Sequence, residues 1–328
     1  MASVTLKSVL IALGALTCAT LAGNPALAQT YPSKPIRLIV PFAPGGSSDL
    51  LARGVAKQLG EQMGASMVVE NRPGAGGNIA AEVVAKGPAD GYQLLFGTIG
   101  THGVGPALYK QLPFDPIKDF APISLLHVLP NVLIVTNSLP VNSVKDLIDY
   151  ARANPGRVTF ASAGNGSISH LAGELFKTAT DVRMTHVPYK GGGAAIPDLI
   201  SGQVSVMFET VTNALSMARS GKVRAIAVTG ITRWQQAPEL PTIAEAGVPG
   251  YQVDSWTGLL APAGVPRTVV ERLNAELVKA ARDRGYRQQM STLGVEAVSS
   301  TPEEFQTFIV AEVAKWTRAI QQSGAKID

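Results

Sequence analysis

Two rhythms of hydrophobic and polar positions alternate along this chain. Ile36-Arg37-Leu38-Ile39-Val40 is a short β-branched run and predicts a strand. After Ala43-Pro44-Gly45-Gly46, Ser47 or Ser48 can cap a helix running through Leu50-Leu51-Ala52-Arg53 to Leu59. Met67-Val68-Val69-Glu70 predicts a second strand and Gly74-Ala75-Gly76-Gly77 a turn. Asn78 can cap a helix over 79–86, which Gly87-Pro88 stops. Gln93-Leu94-Leu95-Phe96 predicts a third strand. Strands alternating with helices in this way predict βαβ units and a parallel sheet.

The segment 103–122 breaks the rhythm with Pro106, Pro113, Pro116 and Pro122 and predicts a long loop or a turn-rich excursion. The alternation then resumes. Strands are predicted at Val132-Leu133-Ile134-Val135, Val158-Thr159-Phe160-Ala161, Met184-Thr185-His186-Val187, 204–208 and 223–228. Helices are predicted from Ser143, over 167–178, and up to Ile200. A second Pro/Gly-rich stretch spans 238–266 and encloses a connecting strand at 255–260. Two helices close the chain. Pro266 starts the first, which carries Val269, Val270, Leu273, Leu277 and Ala281 on one face. Thr301-Pro302-Glu303-Glu304 opens the second, with Pro at the first helical position and a capping-box Glu. The pattern reads as two α/β lobes with breaks near 103–127 and 238–262.

Residues 1–28 have a different character. Lys7 precedes an apolar run from Val9 to Ala22, and Ala26-Leu27-Ala28 is a small-x-small cleavage site before Gln29. This is the pattern of a secretory signal peptide. The run is shorter than the roughly 20 residues that span a bilayer. Cys18 is the only cysteine and lies inside this leader, so the mature chain is expected to hold no disulfide and no Cys-based site. The chain is 46% hydrophobic and 16% charged, which excludes a disordered protein. Its net charge of +4 is spread out and forms no nucleic-acid-binding stripe.

Enzyme signatures are missing. There is no P-loop, no Gly-x-Ser-x-Gly elbow, and Gly164-Asn165-Gly166 lacks the third glycine of a dinucleotide fingerprint. No two of His102, His127, His170 and His186 have metal-ligand spacing. His127 and His186 lie in apolar strand contexts and read as satisfied core histidines. No catalysis, cofactor or metal is expected.

Three Gly/Ser-rich turns each join a strand end to a helix start: 41–49, 162–167 and 189–194. In an open α/β sheet such turns line the crevice beyond the carboxyl ends of the strands. Helix N-termini offer unpaired N–H groups and about half a positive charge, and glycine admits a ligand to the backbone. The turns therefore suit an anion, although the same residues also serve as plain turn and cap positions. Phe42 and Phe208 suit either the wall of a ligand pocket or the core. Export, two lobes and no catalytic set point to a solute-binding protein that closes by hinge motion.

The ordered motifs make this specific. Tyr31-Pro32-Ser33-Lys34-Pro35-Ile36-Arg37 leads into Pro41-Phe42-Ala43-Pro44-Gly45-Gly46-Ser47-Ser48-Asp49. Glu70-Asn71-Arg72-Pro73-Gly74-Ala75-Gly76-Gly77-Asn78, Ala89-Asp90-Gly91-Tyr92, Pro188-Tyr189-Lys190-Gly191, Asp198-Leu199 and Gly202-Gln203-Val204 follow. Across 30–328 the chain resembles the Bug receptors, the extracytoplasmic solute-binding proteins of tripartite tricarboxylate transporters. The resemblance implies an α/β Venus-flytrap fold of the class II periplasmic-binding type. It implies a first lobe of 29–126 plus 255–328 and a second of 127–254. It also implies a periplasmic, monomeric receptor for a small carboxylate: a di- or tricarboxylate, an acidic amino acid or an aromatic acid. The partners would be the large and small membrane subunits of the transporter. A sensory protein that presents its ligand to a membrane kinase is the alternative.

Carried over by position, the resemblance implies ligand-binding roles for Phe42, Ala43, Gly45, Gly46 and Asp49 in the first turn, with Asp49 anchoring the turn and its waters. It adds Thr98, Thr101 and His102 after the third strand, and Ser162, Gly164, Asn165 and Ser167 in the second lobe. Tyr189, Lys190, Gly191 and Asp198 match the Tyr-basic-Gly motif and the next helix. Asp198 fits a ligand amine or hydroxyl, or a plain helix surface, and Lys190 fits a solvated side chain equally well. The chain departs from the family in the loop Val104-Gly105-Pro106, where Asn often precedes the Pro, and at Glu209, where Asp is frequent.

Overall fold

A computed structural model describes residues 31–109 and 111–323. The expected leader, 1–28 with Lys7 and Cys18, lies outside them. Of the N-terminal unit Met1–Ser33 only residues 31–33 are described, and they form no regular element. The second unit begins at Lys34 and holds every element below.

β1 (Ile36–Val40), α1 (Ser47–Met63), β2 (Met67–Asn71), α2 (Asn78–Ala85) and β3 (Gln93–Thr98) form the expected βαβ succession. β1 pairs in parallel with both β2 and β3. All six residues of β3 are buried, which is why it reads as a near-continuous apolar run. A wide helical turn at Gly100–Val104 leads into the short α3 (Gly105–Leu108), and β4 (Phe120–Thr136) follows. The alternation then runs through α4 (Val144–Ala153), β5 (Val158–Ser162), α5 (Ile168–Thr180), β6 (Met184–Pro188), α6 (Gly192–Ser201), β7 (Val206–Thr210), α7 (Val211–Arg219) and β8 (Val223–Val228). β9 (Asp254–Pro262) leads to α8 (Arg267–Arg282), α9 (Arg284–Thr292) and α10 (Pro302–Ser323).

The strand order is β2-β1-β3-β9-β4-β7-β5-β6, and β8 also pairs with β4. β4 runs antiparallel to β9 from Phe120 opposite Pro262 to Pro130 opposite Asp254. From Asn131 onward it exchanges that partner for β7 and β8. One long strand therefore belongs to two α/β halves, and its partner change falls between Pro130 and Asn131.

Several local expectations hold in atomic detail. Ser143 and Ser167 accept hydrogen bonds from the backbone N–H of Asp146 and His170 and cap α4 and α5. The capping box at α10 is reciprocal: Glu304 N–H donates to Thr301 Oγ1 (3.1 Å), and Thr301 N–H donates to Glu304 Oε2 (2.8 Å).

Others are corrected. The predicted loop over 103–122 begins instead as helix, because Pro106 sits in the first turn of α3, where its missing N–H costs nothing. β4 is 17 residues long rather than four. Pro122 is accommodated at a register shift and Pro130 at the last pair with β9, places where a strand tolerates proline. The chain closes with three helices rather than two, since the Asp283 side chain accepts from Tyr286 N–H (2.7 Å) and starts α9. Neither Ser47 nor Ser48 caps α1, whose N-cap is Gly46. Asn78 is the first residue of α2 and does not cap it.

Candidate functional site

A cleft lies where the two halves of the sheet meet, with about 620 Å³ of space between its atoms when the solvent at its mouth is included. Four helix starts border it: Gly46 and Ser47 of α1, Ser167 and Ile168 of α5, Gly192 of α6, and Thr210 just before α7. Strand residues Thr98, Asn131, Glu209, Ser255 and Thr257 add polar groups, and Phe42, Leu51, Leu129 and Phe208 add apolar walls. No Lys or Arg is among the lining residues, and Glu209 is their only charged side chain. Helix dipoles and backbone N–H groups at these four starts are the groups that can favour an anion here without a cationic side chain.

The first turn is rigidly built. Gly45 adopts φ +80°, a conformation that favours glycine, and its N–H donates to Asp49 Oδ2 (3.0 Å). Asp49 also accepts from Asn71 Nδ2 and Arg53 Nε, each at 3.0 Å. Asn71 Nδ2 further donates to the Phe42 carbonyl (2.9 Å). Burial pushes the Asp49 carboxyl up, but these donors outweigh it and hold the group below its usual range. The carboxylate is thus committed to the turn and does not line the cleft.

Polar contacts tie this turn to the other half of the molecule. Ala43 N–H donates to the Lys190 carbonyl (3.0 Å), so both residues shape the cleft through their backbones while the Lys190 side chain is exposed. Tyr109 Oη donates to the Asn165 carbonyl (2.7 Å). Ser47 Oγ donates to Glu209 Oε1 (3.1 Å), and the Thr210 hydroxyl lies against Ser47 Oγ. A Cβ on Gly191, at φ +132°, would lie 2.9 Å from Ala43 N.

Several of the other expected residues are not among those that line the cleft. Thr101 bridges Thr98 N–H and carbonyl and contacts His102 Nδ1 (2.8 Å). His102 is fully buried, 4.5 Å from the Phe120 ring centroid, and burial lowers its pKa to about 3. Ser162 Oγ meets His186 Nε2 at 2.6 Å and accepts from Gly164 N–H. A Cβ on Gly164, at φ +122°, would approach the Tyr189 carbonyl to 2.9 Å. Tyr189 Oη donates to Asp198 Oδ2 (2.6 Å), and burial, with this bond, pushes the Tyr189 hydroxyl up to about 12. Phe42, Gly46, Thr98, Ser167 and Phe208 line the cleft. Ala43, Gly45, Asp49, Asn165, Lys190 and Gly191 lie in the turns around it, and Thr101, His102, Ser162, Gly164, Tyr189 and Asp198 are not among its lining residues.

Of the two expected core histidines, His186 is engaged at Nε2 and stacks between Phe160 and His170. His127 contacts Thr257 Oγ1 through Nδ1 (2.7 Å) but its buried Nε2 has no partner. Sequence reasoning passed over Asn131, Thr210, Ser255 and Thr257, and met Glu209 only as a departure. The available signal was a polar residue inside or ending an apolar strand, as in Leu129-Pro130-Asn131-Val132 and Met207-Phe208-Glu209.

An α/β chain folded into two halves around a cleft ringed by helix starts has the fold of a solute-binding receptor of the Venus-flytrap class. The chain belongs to the tripartite tricarboxylate transporter family receptors, whose profile matches residues 51–325. Protein BugT of Bordetella pertussis is 35% identical over 92% of this chain and 93% of its own. A Rhodopseudomonas palustris protein solved with adipate is 40% identical, covering 90% of this chain and 100% of that one at a TM-score of 0.88. MatC from Rhodopseudomonas palustris, solved with malate, is 34% identical over 88% of this chain and 100% of that one, at a TM-score of 0.85. The protein is therefore a Bug-type receptor and not an enzyme.

Proposed function

We propose that this receptor captures a small carboxylate in the cleft and delivers it to the membrane subunits of a tripartite tricarboxylate transporter. The observation that carries this reading is the ring of four helix starts around a cleft lined by no basic side chain. Gly46, Ser47, Ser167 and Gly192 would offer backbone N–H groups to one carboxylate, directly or through water, and such bridged bonds cost little affinity. Phe42 and Phe208 would flank the ligand body. The relatives solved with adipate and malate support a di-acid scale for the ligand.

The lobes would be 29–126 with 255–328, and 127–254. The partner change of β4 next to position 130, with β9 beginning at Asp254, supports crossovers at those two places. The leader motif at 1–28 supports export to the periplasm, where the receptor would act as a monomer, and no described helix is long and apolar enough to cross a membrane.

A thermal-shift screen of refolded mature protein tests capture. The panel would hold dicarboxylates, tricarboxylates, acidic amino acids and aromatic acids. A ligand at 100 times its Kd stabilises by about 2.7 kcal/mol. A flat response across all carboxylates from folded protein would overturn the reading. Delivery is tested by uptake of the bound acid in cells with and without the membrane subunits, and equal uptake would overturn that half.

A further inference from the structure

The cleft holds a contradiction for a simple anion site. Glu209 is its one charged lining side chain, 5% exposed, and no Lys or Arg lines the cleft to neutralise it. Its Oε1 is well supplied, accepting from Ser47 Oγ (3.1 Å), Thr210 Oγ1 (2.8 Å) and Thr210 N–H (3.0 Å). Its Oε2 accepts from no donor among the described residues, and it lies so close to Gly192 that a Cβ there would collide with it. Burial pushes this carboxyl up, although the Ser47 and Thr210 bonds pull the other way.

A second observation lies on the neighbouring strand. Asn131 is fully buried and lines the same cleft, yet neither its Nδ2 nor its Oδ1 has a partner. Its register partner on β7 is Thr210, next to Glu209. Thr98, also in the lining, has an unpartnered Oγ1. Buried polar atoms are seldom left without partners, and these atoms are free to bond to a molecule held in the cleft.

We infer that Glu209 and Asn131 select a carboxylate that also carries a hydrogen-bond donor, an ammonium or a hydroxyl group, over the unsubstituted acid. Glu209 Oε2 is an acceptor and repels an acceptor-only group, whereas an ammonium or hydroxyl donates to it. Asn131 Oδ1 takes a second proton of an ammonium, and Asn131 Nδ2 is left to donate to an oxygen of the ligand. A site built to pair a donor discriminates strongly against the analogue that lacks it, since its own buried groups are then stranded. The inference rests on the carboxylate-receptor reading and narrows it.

The experiment is calorimetry of refolded mature protein with matched acids: succinate, malate and aspartate, then glutarate, 2-hydroxyglutarate and glutamate, then adipate and 2-aminoadipate. At one chain length or more, the substituted acid is expected to bind at least tenfold tighter than the plain diacid. Glu209→Gln keeps the shape and removes the charge, and is expected to shrink that ratio at least threefold, more for the amino than for the hydroxy acid. Plain diacids binding as tightly as their substituted partners throughout would overturn the inference and leave the receptor reading standing. An unchanged ratio in Glu209→Gln would overturn the role of Glu209. Binding of no carboxylate from the wider panel would overturn both readings. If Glu209→Gln does not fold, the wild-type ratios decide.

Discussion

Ser47 and Glu209 lie 162 positions apart in the chain, yet Ser47 Oγ donates to Glu209 Oε1 at 3.1 Å across the cleft. Ser47 begins α1 and Glu209 sits near the end of β7, so this bond links the two halves of the molecule across the cleft. Ser47→Ala removes the donor and leaves a buried carboxylate with one fewer partner. A hydrogen bond to a charged group contributes about 1.5–3 kcal/mol. Ligand affinity in Ser47→Ala is expected to fall by about tenfold in calorimetry. Unchanged affinity would show that this contact contributes nothing to closure.

Gly46 approaches the other half as closely. A Cβ at this position would lie 3.2 Å from Gly193 N, and Gly46 itself borders the cleft. Its φ of −80° accepts any residue, so Gly46→Val should fold normally. Its branched side chain would obstruct both closure and access to the helix start. Affinity is expected to drop at least tenfold at an unchanged urea midpoint, and a folded Gly46→Val with native affinity would count against the backbone anion site.

Asp49 is a matter of stability. Its carboxylate takes the Gly45, Asn71 and Arg53 donors, and the Arg53 partner is half exposed, which screens the ion pair. Asp49→Ala strands the other two donors near the cleft. A loss of about 2 kcal/mol is expected from urea unfolding. Affinity should fall as well, because the turn loses its brace.

A glycine in the core gives a packing test. Gly258 lies in β9, where an added Cβ would run into the ring of Phe305 from α10. Gly258→Ala should destabilise by about 1–3 kcal/mol through overpacking. The accompanying Phe305→Leu should recover part of that loss, and the recovery is read from the urea midpoints of the single and double variants.

Acid should weaken the fold before the carboxylates titrate. His102 and His127 are fully buried, and burial lowers each pKa to about 3. In the unfolded chain a histidine protonates near 6.5. Between those values the unfolded state binds more protons, so stability rises with pH and declines as pH falls from about 6.5 toward 3. The slope is at most ~1.4 kcal/mol per pH unit for each histidine. Glu209, whose carboxyl burial pushes up, works in the opposite direction because the folded state takes its proton first. A lower urea midpoint at pH 5.5 than at pH 7.5 is expected, and equal midpoints would refute the neutral, buried state of these rings.

Much of this molecule is written locally. Ile36 to Val40 and Gln93 to Thr98 are apolar enough to be buried parallel strands wherever they are placed. Ser143, Ser167 and the Thr301–Glu304 box set helix starts through bonds spanning three residues. The Gly45 turn is marked by residues that only a tight strand-to-helix turn requires. Tertiary structure alone decided the rest. β4 is a single strand through Pro122 and Pro130 because β9 absorbs one proline at a register shift and ends its pairing at the other. Ser47 carries the composition of a cap, but Glu209 claims its hydroxyl from 162 residues away. Asn131 is one polar residue in an apolar strand until β7 places Glu209 and Thr210 beside it. Local periodicity sets which face of an element is buried, whereas which polar atoms meet in a cleft depends on contacts between elements that no local pattern encodes.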